Sequence, residues 1–200
     1  MREGYIIRDQ AAPHFITATV VDWIDVFTRQ QYKDIIISSL DYSINNKGLV
    51  VFAYVVMSNH VHLIVQAKDN NLSDLIRDFK KFTAIAIVKE IKGYNDGRFD
   101  WMLDRFEKAT ESHSRNKNFQ FWQYGNHPKE VFTEKFLWSK IDYIHLNPVR
   151  AGIVNKIEDY IYSSASNYIK DEGVLGNIQI ADNPVIDVLK PSSFDKYLKM

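Results

Sequence analysis

The chain has 200 residues and balances 25 Lys and Arg against 25 Asp and Glu, so its formal net charge is zero. Hydrophobic content of 46% with 14% aromatic residues excludes a disordered chain, and neutrality argues against a general nucleic-acid coat, leaving a local patch to meet any polyanion. Cysteine is absent, which excludes disulfides and thiolate metal sites, and no apolar run reaches the roughly 18–20 residues that span a bilayer. The amino end, MREGYIIRDQ, lacks the apolar core of a signal peptide, so a cytoplasmic protein is expected.

In chain order, residues 14–27 (HFITATVVDWIDVF) are rich in β-branched and aromatic side chains and read as a strand. Thr28 offers an N-cap to a helix spaced through Tyr32, Ile36 and Leu40, which Asn45, Asn46 and Gly48 close. Two apolar runs, 49–57 and 61–66, flank the polar turn Ser58-Asn59 and read as a β-hairpin. A second helix starts at Ser73, carries Leu75, Phe79, Phe82, Ile85 and Val88 as its apolar stripe, and ends at Gly93. Residues 93–118 are charged and aperiodic and are expected to form a loop, followed by a short strand over 119–124. Thr133 caps a helix expected to end at Asn147, because Pro148 has no N–H to extend it. Beyond Gly152, a short apolar run and YIYSSASNY lead into a polar, acidic stretch, giving a domain over 1–170 and a tail over 171–200.

Strand, helix, hairpin, helix, strand, helix is the order of an α+β fold. The expected architecture is a ferredoxin-like (RRM-like) sandwich: an antiparallel sheet, helices on one face, and the 133–147 helix near the second hairpin strand. That fold hosts many activities, so function has to be argued from a site.

His60 and His62 are two apart on a strand and project to the same face, while Val61, Leu63 and Val65 anchor the other. Side-by-side imidazoles suit one divalent ion, although an isolated His-x-His is more often an ordinary pair of hydrogen-bonded histidines. On the later helix, Leu137, Ile141 and Ile144 form a buried stripe, and Tyr143 and Asn147, four apart, share another face. That face offers a nucleophilic hydroxyl and a hard amide oxygen ligand, but half-buried tyrosines are common and ten others compete.

YVVMSNHVHLIV (54–65), FKKFTA (79–84), FWQYGNHP (121–128), DYIHLNPVRAGIV (142–154) and YSSASNY (162–168) occur in this order. Together they resemble the signature blocks of REP-associated tyrosine transposases, within the single-tyrosine HUH transposases of the insertion-sequence type. Five blocks in order over residues 10–168 make the resemblance specific; Ser58 stands where relatives often carry proline.

The resemblance implies His60 and His62 as ligands of Mg²⁺ or Mn²⁺, Asn147 as a third protein ligand, and Tyr143 as the nucleophile. It implies a metal-dependent transposase that cleaves hairpin-containing single-stranded DNA and rejoins it through a 5′-phosphotyrosine; relatives include dimers and monomers. A covalent intermediate conserves the bond energy for rejoining and divides one hard transfer into two easier ones. Lys80 and Lys81 are candidates for phosphate contact or simply a solvated helix face, and Arg150 for DNA contact or a carboxylate partner. Trp122 is a candidate to stack on a base or to pack in the core. His145 reads as structural. Competing readings are a non-catalytic nucleic-acid-binding module on the same sandwich, and a metal hydrolase without covalent catalysis.

Overall fold

The structure is a computed structural model that describes residues 6–93, 99–111, 118–125 and 127–182. Four strands form one antiparallel sheet in the order β2-β3-β1-β4: β1 (His14–Thr19), β2 (Leu49–Val56), β3 (His60–Ala67) and β4 (Lys129–Glu130). Helices α1 (Gln30–Lys47), α2 (Leu72–Gly93), α3 (Asp100–Lys108), α4 (Glu134–Arg150) and α5 (Ala165–Lys170) complete the fold. The expected α+β architecture with its hairpin is present.

The register decides what the sheet presents. Thr17 pairs with His62, Phe15 with Ile64 and Thr19 with His60, so these side chains share one face. The alternate residues Val61, Leu63 and Val65 are fully buried in the main core, together with Tyr32, Ile36 and Leu40 of α1 and Ile76, Phe79 and Ile87 of α2. α1 ends at Gly48, whose φ of 71° is left-handed backbone; an added Cβ would also press on Asp69.

Several elements differ from expectation. The first strand stops at Thr19, because Asp22 and Trp23 both adopt positive φ (53° and 57°) and turn the chain, and Val26, Phe27 and Ile24 fill the core from 3₁₀ turns instead. Thr28 does not cap α1; its hydroxyl donates to the Asp25 carbonyl and Arg29 occupies the cap position. Within the expected loop, α3 forms by burying Met102 and Phe106, one turn apart, beneath a charge-dense surface that hides the period. Residues 119–124 are not a strand but run beside the end of β1, with Val21 N–H bonded to Phe121 O and Gln123 N–H to Thr19 O. Pro148 does not stop α4. It sits in the last turn, where the missing N–H forfeits a single hydrogen bond. The helix ends two residues later, at Arg150, in a Schellman motif: Gly152 at φ 69° donates to Val149 O and Ile153 N–H to Pro148 O.

The segment after α4 covers the outer edge of β2. Val56 N–H donates to Tyr162 O, Ser164 N–H to Tyr54 O and Gln179 N–H to Val51 O, so backbone groups that would invite another strand are paired. Residues 171–182, read as tail from their polarity, bring buried Leu175 and Ala181 onto this edge. α4 is tied to the same place: His145 Nε2 lies 2.8 Å from Ser164 Oγ, and that hydroxyl also accepts from Tyr54 N–H.

His145 is buried and burial lowers its pKa to about 3, so the folded chain holds it neutral. A depressed folded value means that this contribution to stability is complete above the unfolded value of about 6.5 and is lost progressively as pH falls toward 3. The expected result is a urea midpoint that drops between pH 7 and pH 4. His145→Gln should flatten that drop by one proton's worth, about 1.4 kcal/mol per pH unit. An unchanged slope in the variant would remove His145 from the acid response.

Candidate active site

α4 crosses the sheet face that carries the histidines. Its apolar residues Ile141 and Ile144 are buried, with Leu137 packed against the core, and this orients Tyr143 downward onto β3. The Tyr143 ring stands 5.2 Å from His62 and 5.9 Å from Phe15, edge-on to both, and His60 and His62 lie 4.6 Å apart. Tyr143 stays 36% exposed while His62 is 5% exposed, so the hydroxyl-bearing residue meets solvent above a buried imidazole. Tyr143, distant in sequence, is thus brought to the histidine pair, and the expectation that the histidines share a face is met.

Each histidine is held by a neighbour that sequence reasoning did not single out. Asn59 donates from Nδ2 to Trp23 O and to the Asp25 carboxylate, which leaves its Oδ1 facing His60 Nδ1 at 2.7 Å. An amide oxygen only accepts, so His60 Nδ1 carries the proton and Nε2 keeps its lone pair. Thr17 Oγ1 lies 2.8 Å from His62 Nδ1, across the β1–β3 pair. His62 Nε2 is buried and, among the described residues, has no hydrogen-bond partner. Burial foremost, with the charges of His60 and Lys140, lowers the His62 pKa to about 3; burial likewise lowers that of His60. Neutral imidazoles with Nε2 open are the form that takes up a metal ion, and the orphaned nitrogen of His62 fits one. Among the described residues no third His, Cys, Asp or Glu joins them. Asn147 donates from Nδ2 to the Tyr143 carbonyl at 2.8 Å, and among the described residues its Oδ1 has no hydrogen-bond partner and no hydrogen bond links it to either histidine.

The other candidates fare differently. Trp122 is 6% exposed, stacks on Phe27, meets Phe121 edge-on and donates from Nε1 to Thr83 Oγ1 at 3.1 Å. That corrects the base-stacking reading: its ring faces and its one donor are already used inside the core. Lys80 is half-buried, donates to Gln123 O at 3.1 Å, and burial lowers its pKa to about 8, so it pins the 119–124 segment to α2 while lining the same groove as Lys81. Lys81 is exposed beside it on a groove of about 630 Å³ that Arg77, Phe119 and Tyr124 also line. Arg150, the last residue of α4, is exposed, and its charge is felt by Asp142.

The site is thus a tyrosine-bearing helix laid over a strand-borne histidine pair, on a four-stranded antiparallel sheet. Residues 10–115 match the model of the family described as Transposase IS200 like, and the chain belongs to that family. The match contains His60 and His62 and ends before Tyr143. The chain is 28% identical over 122 residues to a Haemophilus influenzae protein described as a REP-associated tyrosine transposase. That alignment covers 60% of this chain and 61% of the relative's length. The solved structure of a REP-associated tyrosine transposase bound to a REP hairpin superposes with a TM-score of 0.54 at 19% identity, covering 92% of this chain and 94% of that one. That second likeness is one of fold.

Trp122→Ala should behave as a core truncation, lowering stability by about 3–5 kcal/mol in urea denaturation. A loss below about 1 kcal/mol combined with weakened DNA binding would return Trp122 to the nucleic-acid surface.

Proposed function

We propose that this chain cleaves and rejoins hairpin-containing single-stranded DNA, with Tyr143 as nucleophile and a 5′-phosphotyrosine as the intermediate. The observation that carries the reading is the seating of a solvent-accessible Tyr143 against His62, whose Nε2 is buried and unpartnered. His60, His62 and the free Oδ1 of Asn147 are the residues that would hold Mg²⁺ or Mn²⁺. When bound, such an ion supplies positive charge that polarises the scissile phosphate and stabilises the departing 3′-oxygen.

The chain's own residues do the rest. α4 holds the Tyr143 hydroxyl over the histidine face, so attack at phosphorus is a positioning problem solved by the packing of Ile141 and Ile144. Asn59 and Thr17 hold the two imidazoles in register. Tyr143 stands over His62 of its own chain, so the reading needs no second copy. Lys81, with the groove beside it, and Arg150 are the proposed contacts to the DNA backbone.

Hairpin-bearing single strands taken from inverted repeats flanking the gene, end-labelled and incubated with Mn²⁺, should yield a protein–DNA adduct that survives denaturation. Tyr143→Phe should give none; an adduct from that variant would assign the nucleophile elsewhere. Thr17→Val should weaken Mn²⁺ binding about 10-fold or more in calorimetry by freeing the His62 ring, with the fold intact by circular dichroism. Unchanged Mn²⁺ affinity in Thr17→Val would separate Thr17 from the metal site.

A further inference from the structure

Lys140 lies three residues before Tyr143 on α4, so the two side chains share a face of the helix. Its Nζ is 5.1 Å from the Phe15 ring centroid, 5.2 Å from that of Phe136 and 5.4 Å from that of Tyr143. Elsewhere on the surface, Lys47 pairs with Asp78 and Lys108 with Asp104, whereas Lys140 has no ion pair among the described residues. Burial, and secondly the charge of Lys129, lowers its pKa. Its charge is also felt at His62. An unpaired lysine on an exposed helix would extend into water. Here three aromatic rings hold the ammonium at the mouth of the site.

We propose that Lys140 is a further catalytic residue whose ammonium receives the scissile phosphate and offsets the charge that builds on it and on the Tyr143 oxygen during attack. The inference rests on Tyr143 being the nucleophile. In that step the Tyr143 oxygen bonds to phosphorus and the bond from phosphorus to O3′ breaks, its electron pair leaving with O3′. The phenolic proton passes to solvent and O3′ takes a proton from solvent. Lys140 transfers nothing and stays an ammonium throughout. As the phenol loses its proton, the ring that Lys140 faces gains negative charge, so the contact strengthens along the reaction coordinate. An interaction that grows toward the transition state speeds the chemical step, and it does so most in a partly dry site.

Two variants separate charge from packing. Lys140→Met keeps an apolar stem against Phe15 and Phe136, and Lys140→Arg keeps the charge. The readouts are the rate of adduct formation on the flanking-repeat hairpin strand with Mn²⁺, the Kd for that strand, and the urea midpoint. Lys140→Met should slow adduct formation about 100-fold, with Kd changed less than about threefold and the midpoint unmoved, and Lys140→Arg should recover about tenfold of the loss. Adduct formation by Lys140→Met at the wild-type rate overturns the lysine's role and leaves Tyr143 in place. Equal losses in both variants assign Lys140 to packing and overturn it as well. A wild-type protein that forms no adduct overturns the Tyr143 reading and the lysine with it.

Discussion

The pairing of β1 with β3 is the constraint on which the site depends. Thr17 opposite His62 and Thr19 opposite His60 put both imidazoles on the face that α4 covers. Side chains alternate along a strand, so a slip of one residue would turn both histidines into the core and carry Val61, Leu63 and Val65 outward. The burial of those three residues therefore holds the histidine face in place. Thr17 does double duty, as a strand residue in register and as the partner of His62 Nδ1.

α4 is the second half of the arrangement, and its position is set from three sides. Ile141 and Ile144 seat it on the sheet, His145 ties it through Ser164 to β2, and the Schellman motif at Gly152 turns the chain back toward the β2 edge. The segment that closes that edge also supplies Ser164, so edge protection and placement of Tyr143 share residues. Tyr143 keeps its exposure because its neighbours on the helix take the burial.

The helical spacing that puts Asn147 on the face of Tyr143 was legible, as was the alternation that aligns His60 with His62, since both follow from local periodicity. The hairpin was legible from two apolar runs and a short polar turn. α3 was not, because its two buried residues lie among charges that blur the period. Trp122 was undecidable from its own neighbourhood: only Phe27 and Thr83, far away in sequence, show that its ring and its N–H are already occupied. Lys80 and Lys81 are adjacent yet have opposite fates, since one points under the 119–124 segment and the other to solvent.

What the sequence by itself determined is the inventory: a histidine pair on one strand face, a tyrosine and an asparagine on one helix face, and blocks whose order marks the family. Those are short-range properties, set by the 2.0 and 3.6 residue periods of strand and helix. Only the tertiary structure decided that Tyr143 stands over His62, that Asn59 and Thr17 orient the imidazoles, and that Lys140 lies against the Tyr143 ring. Each of these contacts joins elements distant along the chain or depends on which face of a helix is pressed to the sheet. Core packing settles that, and no local pattern records it.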